Sequence, residues 1–200
     1  MSDKVQLASS NPGKLAEFLV MRESVRSPGS PLQLVLLPNF SSLPAFDENA
    51  PTFAENAAGK ALHYSRFVEG CILADDSGLV VPALGGAPGV RSARYAGPNA
   101  SSEERNAKLL HEMRYLTGAQ RQAHFVCALT LAEKGRAIAV ITARVDGEIA
   151  PSPSGTTGFG YDPIFGIPEL NKTFAELSAE QKNKLSHRGK AFVRLLEILC

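Results

Sequence analysis

Cysteine is scarce in this chain: Cys71, Cys127 and Cys200 are the only three, odd in number and far apart. That excludes a disulfide framework or a zinc knuckle. It suggests buried thiols in a reducing compartment, and so a cytoplasmic protein. No apolar run approaches membrane length; the longest, Leu32 to Leu37, is interrupted by Gln33 and stopped by Pro38. Met1-Ser2-Asp3-Lys4 lacks the basic-then-apolar build of a signal peptide. An excess of charge is missing too. The 21 Lys and Arg against 20 Asp and Glu give a formal net charge of +1, which leaves no electrostatic case for a duplex-binding surface or an anionic membrane. There is no internal repeat, low-complexity tract, interdomain linker or nucleophile elbow of a serine hydrolase. What remains is an ordinary soluble composition. The 200 residues fit one domain, residues 1–200, with room for two lobes sharing a sheet.

Against that plain background, Asp75-Asp76-Ser77-Gly78 stands out at the end of the apolar run Cys71-Ile72-Leu73-Ala74. Two carboxylates where a strand leaves the core are costly without a cation beside them. Magnesium carried by a polyphosphate would supply one, since it takes carboxylate oxygens together with substrate oxygens. The same four residues also make a good acidic turn, with Leu79-Val80-Val81 as a short extension beyond it.

Elsewhere the pattern alternates strands and helices. Val5 to Ala8 is a short strand. Asn11 is a good N-cap and Pro12 suits a first helical position; Leu15, Phe18 and Leu19 follow at helical spacing. Pro28, Gly29 and Pro31 end that helix, and Leu32 to Leu37 is a strand. Thr52 with Glu55 predicts a capping box and a helix from about Phe53 to Phe67, stopped by Gly70. Ser101 with Glu104 predicts a second box and a helix to about Tyr115. Arg121 to Glu133 and Arg136 to Asp146 are strands joined by a tight Lys134-Gly135 turn. Pro151 to Tyr161 is a long loop of the kind that is usually functional. Ser178 with Gln181 caps a short helix, and Phe192, Leu195, Leu196 and Leu199 mark a final amphipathic one.

Four further groups could carry chemistry. Ser9-Ser10-Asn11-Pro12-Gly13-Lys14 forms a helix start with free N–H groups and an added cation, fit for phosphate but equally a plain capped helix; it is not a Walker loop. Glu48, Glu55 and Lys60 surround the second helix start. Glu55 has its explanation in the capping box, whereas Glu48 and Lys60 read either as ligands or as solvated charges. Gly158-Phe159-Gly160-Tyr161-Asp162-Pro163 offers aromatic rings for a base, where stacking contributes about 1–3 kcal/mol. Lys182 and Ser186-His187-Arg188-Gly189 put cations at a helix start against the dipole, an arrangement that an anionic or carbonyl-bearing ligand would offset.

Their order along the chain carries more than any one of them. Ser-Asn-x-Gly-Lys, Thr-Phe-x-Glu-Asn-Ala, Ala-Asp-Asp-Ser-Gly-Leu, Leu-Gly-Gly-Ala-Pro-Gly-Val, Ser-Ala-Arg-Tyr-Ala-Gly, Gly-Phe-Gly-Tyr-Asp-Pro-Ile-Phe and Leu-Ser-His-Arg-Gly, in that succession, closely resemble the Ham1 family of inosine/xanthosine triphosphate pyrophosphatases from Val5 to the last helix. The resemblance implies an elongated, two-lobed α/β fold on a long curved mixed sheet with flanking helices, and an active cleft between the lobes. It implies a homodimer, while the balanced charge and the lack of a long apolar run speak against a stable nucleic-acid partner or membrane association. It also implies magnesium-dependent hydrolysis of non-standard purine nucleoside triphosphates (ITP, dITP, XTP) to monophosphate and pyrophosphate, cleansing the nucleotide pool. By the same resemblance Asp76 is the catalytic carboxylate and a metal ligand, and Glu48 the second acidic metal position. Ser9, Ser10, Asn11, Pro12, Gly13 and Lys14 cradle the triphosphate, with Lys60 a further phosphate contact and Ser77 a substrate contact. Phe159, Gly160, Tyr161 and Asp162 meet base and sugar, and Lys182, His187 and Arg188 read the purine's polar edge. Glu48-Asn49-Ala50-Pro51 departs from the Glu-Thr-Gly common in members, which implies a stiffer loop around Glu48. A Maf-like pyrophosphatase and a nucleotide-sensing or single-strand-binding module without turnover are the rival readings.

Overall fold

The acid pair lies inside a strand rather than at the end of one. The computed structural model of the protein describes residues 4–9, 11–25 and 33–199. Ser10, the Pro28, Gly29 and Pro31 stop, Leu32 and Cys200 lie outside the described residues. The strands are β1 (Lys4–Leu7), β2 (Gln33–Leu36), β3 (Cys71–Val80), β4 (Gln122–Glu133), β5 (Arg136–Ile149), β6 (Phe165–Ile167) and β7 (Lys172–Thr173). The helices are α1 (Pro12–Val25), α2 (Phe53–Tyr64), α3 (Ser102–Glu112), α4 (Ala179–Leu185) and α5 (His187–Leu199). Together they make an α/β fold on a seven-stranded mixed sheet in the order β2-β1-β3-β4-β5-β6-β7. β1 runs parallel to both β2 and β3, whereas β5–β6 and β6–β7 are antiparallel.

The expected break at Asp75-Asp76-Ser77-Gly78 is therefore replaced by one strand of ten residues. Turn propensity loses here to pairing with β4, the neighbour of β3 on one edge; β1 on the other edge pairs only with Cys71, Ile72 and Leu73. The tight turn between β4 and β5 forms as expected. Lys134 and Gly135 both take positive φ, 50° and 74°, the left-handed pair that a two-residue hairpin needs. The helices α2 and α3 stop at Tyr64 and Glu112, short of the expected Phe67 and Tyr115. Ser101 with Glu104 and Ser178 with Gln181 form reciprocal capping boxes. At α2 only half of the expected box forms. Thr52 accepts from the Glu55 N–H, but the Glu55 carboxylate takes the Thr52 hydroxyl instead of the backbone N–H.

By its internal contacts the chain divides into two compact units. The first comprises Met1–Asp76, Cys127–Ala143 and His187–Cys200; the second comprises Ser77–Val126 and Arg144–Ser186. In the first unit the sheet has a core on each face. Val5, Leu7, Cys71, Leu73, Cys127, Leu129 and Leu131 pack with Phe18 and Met21 of α1 and Phe192 and Leu195 of α5, and the Phe18 and Phe192 rings lie 5.0 Å apart. Ala8, Ile72, Ala74 and Ala132 pack with Ala61 and Tyr64 of α2. Residues of β3 thus alternate between the two cores, as pleating requires.

The second unit has its own core. Leu79, Val81, Phe125, Val145, Ile149, Phe165 and Phe174 gather with Leu109 and Met113 of α3 and its C-cap. Arg121 fastens this unit. Its guanidinium donates to the carbonyls of Met113, Leu116, Ile149 and Ala150 at 2.6–3.2 Å.

Candidate active site

Continuation of β3 through the acids decides the electrostatics of the site. Cys71 and Leu73 face the α1/α5 core and Ile72 and Ala74 the α2 core. Period-two alternation then sends Asp75 toward α1 and α5 and Asp76 toward α2. The two carboxylates have different partners accordingly.

Asp75 is 2 % exposed and ion-paired twice. Lys14 of α1 bonds its Oδ1, and the Arg188 Nε of α5 lies 3.3 Å from its Oδ2. Burial pulls the Asp75 pKa upward, but Lys14 and then Arg188 outweigh it and hold the carboxyl far below its ordinary range. Arg188, itself buried, also pairs with Glu17 of α1. Burial disfavours its charge, and Asp75 and Glu17 restore and strengthen it. The offset for cations at the α5 N-terminus is therefore supplied from within the unit, by two carboxylates. Cys127 sits beside this network, its thiol pushed well up by burial and then by Asp75, and is inert.

Asp76 is the other case. Its bonded partner is neutral: Asn56 Nδ2 donates to Asp76 Oδ2 at 3.0 Å, and among the described residues no ion pair to Asp76 forms. Burial raises its pKa, Asn56 counters in part, and Glu48 and Asp75 raise it further, to about 6. Glu48 sits on the loop before α2, where Lys60 Nζ donates to its Oε1 at 2.6 Å. Lys60 is mostly buried, with 13 % of its side chain exposed, so it is not a solvated lysine.

These residues suit a hard cation. Asp76 brings a carboxylate that, among the described residues, has no ion-pair partner, and Glu48 brings oxygen ligands close enough to raise its pKa. No group of three or more His, Cys, Asp or Glu that could hold a metal is present among the described residues. A cation here would complete its shell with substrate oxygens and water, the habit of magnesium rather than of an all-protein cage. Asp75 is committed to Lys14 and Arg188 and is not available as a ligand.

The helix start at α1 is capped from within. Ser9, buried, accepts from the Asn11 N–H at 3.1 Å, and Asn11 Oδ1 accepts from the Gly13 N–H at 2.9 Å. The amides expected to be free for phosphate are thus held by side chains that an anion would have to replace. Pro12 is the first residue of α1.

The remaining predicted residues lie in the second unit, His187 excepted. Lys182 is buried, with Nζ 2.7 Å from Asp162 Oδ2 and 4.9 Å from the Phe159 ring centroid. Asp162 also accepts from the Phe159 N–H at 2.7 Å, so one carboxylate fixes both the loop and the lysine. Phe159 is 39 % exposed and Tyr161 only 4 %. The Tyr161 hydroxyl donates to Ser92 O at 2.9 Å, which makes Tyr161 a core anchor and leaves Phe159 as the loop's accessible ring. Gly160 holds positive φ, 66°, and its carbonyl accepts from Asn106 at 3.1 Å. Ser77 is partly buried in β3, and His187 is buried at the first residue of α5.

Sequence reasoning missed Asn56, Glu17 and Asn106. Asn56 had a signal, a buried-phase asparagine inside a helix that it disfavours. Glu17 had one also, three residues after Lys14 and so on the same helical face.

Known proteins match nearly the whole chain. The family model of the Ham1 family matches residues 5–198. The dITP/XTP pyrophosphatase of Geobacillus kaustophilus is 46% identical over 97% of this chain and 93% of its own length. Among solved structures, a HAM1 protein from Coxiella burnetii superposes with a TM-score of 0.85 at 40% identity, covering 98% of both chains. The Staphylococcus aureus Ham1 protein gives 0.82 at 37% identity, covering 98% of this chain and 97% of its own.

Proposed function

The chain belongs to the Ham1 family, and from that premise we propose that it hydrolyses ITP, dITP and XTP to the nucleoside monophosphate and pyrophosphate, with magnesium as cofactor. One observation carries the reading. Of two adjacent carboxylates in β3, Asp75 is neutralised by Lys14 and Arg188, while Asp76 is bonded by the neutral Asn56 and, among the described residues, has no ion-pair partner.

A carboxylate without a cation paired to it can accept a proton from a water held against it. In the proposed step a water oxygen bonds to the α-phosphorus, the bond from that phosphorus to the bridging oxygen breaks, and pyrophosphate leaves. The proton of the attacking water goes to the Asp76 carboxylate, which Asn56 holds in orientation. Lys60 and Lys14 exchange their carboxylate partners in part for phosphate oxygens. Glu48 and Asp76 would hold magnesium, which when bound offsets charge on the phosphoryl oxygens. In the second unit Phe159 presents its ring to the purine and Lys182 a donor to its 6-carbonyl, a group that adenine lacks. Arg188 and His187, buried in the first unit, enter the reading as candidates for the same discrimination.

Pyrophosphate release in the presence of magnesium tests it. ITP, dITP or XTP should exceed ATP in kcat/KM by on the order of 10²-fold or more. Asp76→Asn should lower kcat by roughly 10³-fold with the fold retained; near-normal turnover there would remove Asp76 from the chemistry. An unchanged ITP:ATP ratio in both Lys182→Ala and Arg188→Ala would move base selection elsewhere.

A cytoplasmic location is supported by Cys71 and Cys127, both free and buried. No described helix is long and apolar enough to cross a membrane. A homodimer is supported by the resemblance and by Ile138 and Val140, exposed on β5. Light scattering that finds only monomer at micromolar concentration would reject it.

A further inference from the structure

Glu48 sits on a loop without regular structure, yet that loop is tied to α2 along its length. His63 Nε2 donates to Pro44 O at 2.7 Å. The Phe46 N–H donates to the Tyr64 hydroxyl at 3.3 Å. Ala50 is clasped by the Asn56 amide, which accepts from its N–H at 2.9 Å and donates to its carbonyl at 3.4 Å. The same Asn56 Nδ2 holds Asp76.

Between these ties the Phe46 ring lies directly against the α2 backbone at Gly59. A Cβ at position 59 would stand 2.5 Å from Phe46 Cζ and 3.1 Å from its Cε2, well inside contact distance. His63, one turn along the same face of α2, also meets the ring, with centroids 5.7 Å apart. Glycine is a poor helix former, and nothing about helical φ at this position calls for one. Its presence next to Lys60, the residue that bonds Glu48, has its physical reason in the ring.

We infer that Phe46 and Gly59 are a key and notch that position Glu48, setting the carboxylate of the 44–50 strap at the depth where it meets Lys60 and serves the same site as Asp76. The inference rests on the proposed metal role of Glu48. The backbone from Phe46 to Glu48 is too short to absorb a displacement of the ring, since two residues span at most about 7 Å when extended. Lifting Phe46 by the width of a side chain therefore carries Glu48 with it. Phe46 and Gly59 touch neither substrate nor cation in this account; they act through Glu48.

The test is a pair of substitutions and their combination. Gly59→Leu fills the notch and should raise the magnesium concentration for half-maximal pyrophosphate release by about 10-fold or more. kcat at saturating magnesium should stay within about 3-fold of wild type, since supporting contacts of this kind act on affinity first. Manganese binding without nucleotide, read by electron paramagnetic resonance, should weaken in parallel, and amide exchange at Phe46 and Ala50 should speed up. Gly59→Ala should give a smaller shift of the same sign. Phe46→Ala in the Gly59→Leu background should recover most of the loss, because the leucine then occupies the room the ring vacates; two residues that merely stabilise the fold would add their losses instead. If Gly59→Leu does not fold, Phe46→Ala alone carries the same expectation for manganese and for exchange at Ala50. Wild-type manganese affinity and wild-type exchange at residues 46–50 in the folded variants would overturn the inference. Failure of the unmodified protein to release pyrophosphate from any of the three nucleotides would instead strike the functional reading, and the exchange data would still decide whether the notch sets the strap.

Discussion

Asp75 and Asp76 are neighbours whose charges act on stability with opposite sign. The Asp75 pKa is lowered in the folded chain by Lys14 and Arg188, so its contribution is present above the ordinary carboxylate range and fades as pH falls through it and below. The Asp76 pKa is raised to about 6. The folded state then holds that proton more tightly than the unfolded chain, so its contribution favours folding at low pH and is lost as pH rises from about 4 through 6. Metal-free Asp76→Asn should therefore melt above wild type at pH 7.5, by roughly 1–2 kcal/mol after allowance for solvent screening, with the gain vanishing near pH 4. Scanning calorimetry at the two pH values checks it; equal or lower stability at pH 7.5 refutes it. Asp75→Asn should do the reverse and cost about 3–5 kcal/mol at neutral pH, because it strips a buried arginine of one partner. Urea titration measures that loss. The presence of an unusual acid pair was legible from Cys71 to Gly78 in the sequence. Which acid is neutralised was not, because Lys14 and Arg188 are brought to Asp75 by two helices from opposite ends of the chain.

Elements with local rules were legible and elements decided by neighbours were not. The Lys134-Gly135 hairpin and the Ser101 and Ser178 caps need only residues adjacent in sequence, and all form. The break expected at Asp75-Asp76-Ser77-Gly78 failed because β4, a strand distant in sequence, neighbours β3 and keeps it extended. The Thr52 box failed in part because a hydroxyl competed with the backbone for Glu55. Arg121 illustrates a fastening that no local pattern signals, since its acceptors at Met113, Leu116, Ile149 and Ala150 come from separate stretches. Arg121→Met keeps the stem and deletes the donors. It should destabilise the protein by about 2–3 kcal/mol, with unsatisfied carbonyls as the cause, and lower the urea midpoint without altering the magnesium dependence of the wild-type activity. A shift in magnesium dependence would place Arg121 in the site.

At the scale of the whole molecule, the first unit is assembled from stretches that the chain visits three times, the last being α5. That order has a consequence in time. On a ribosome adding about 5–20 residues per second, Asp75 emerges early and Lys14 is already there, yet Arg188 and the Phe192 and Leu195 side chains that close the core arrive only with the final helix. Until then the nascent chain carries a half-neutralised carboxylate and an uncovered apolar face. Completion of the first unit must therefore wait for α5, and nascent chains stalled before residue 187 should be those that chaperones retain and proteases remove.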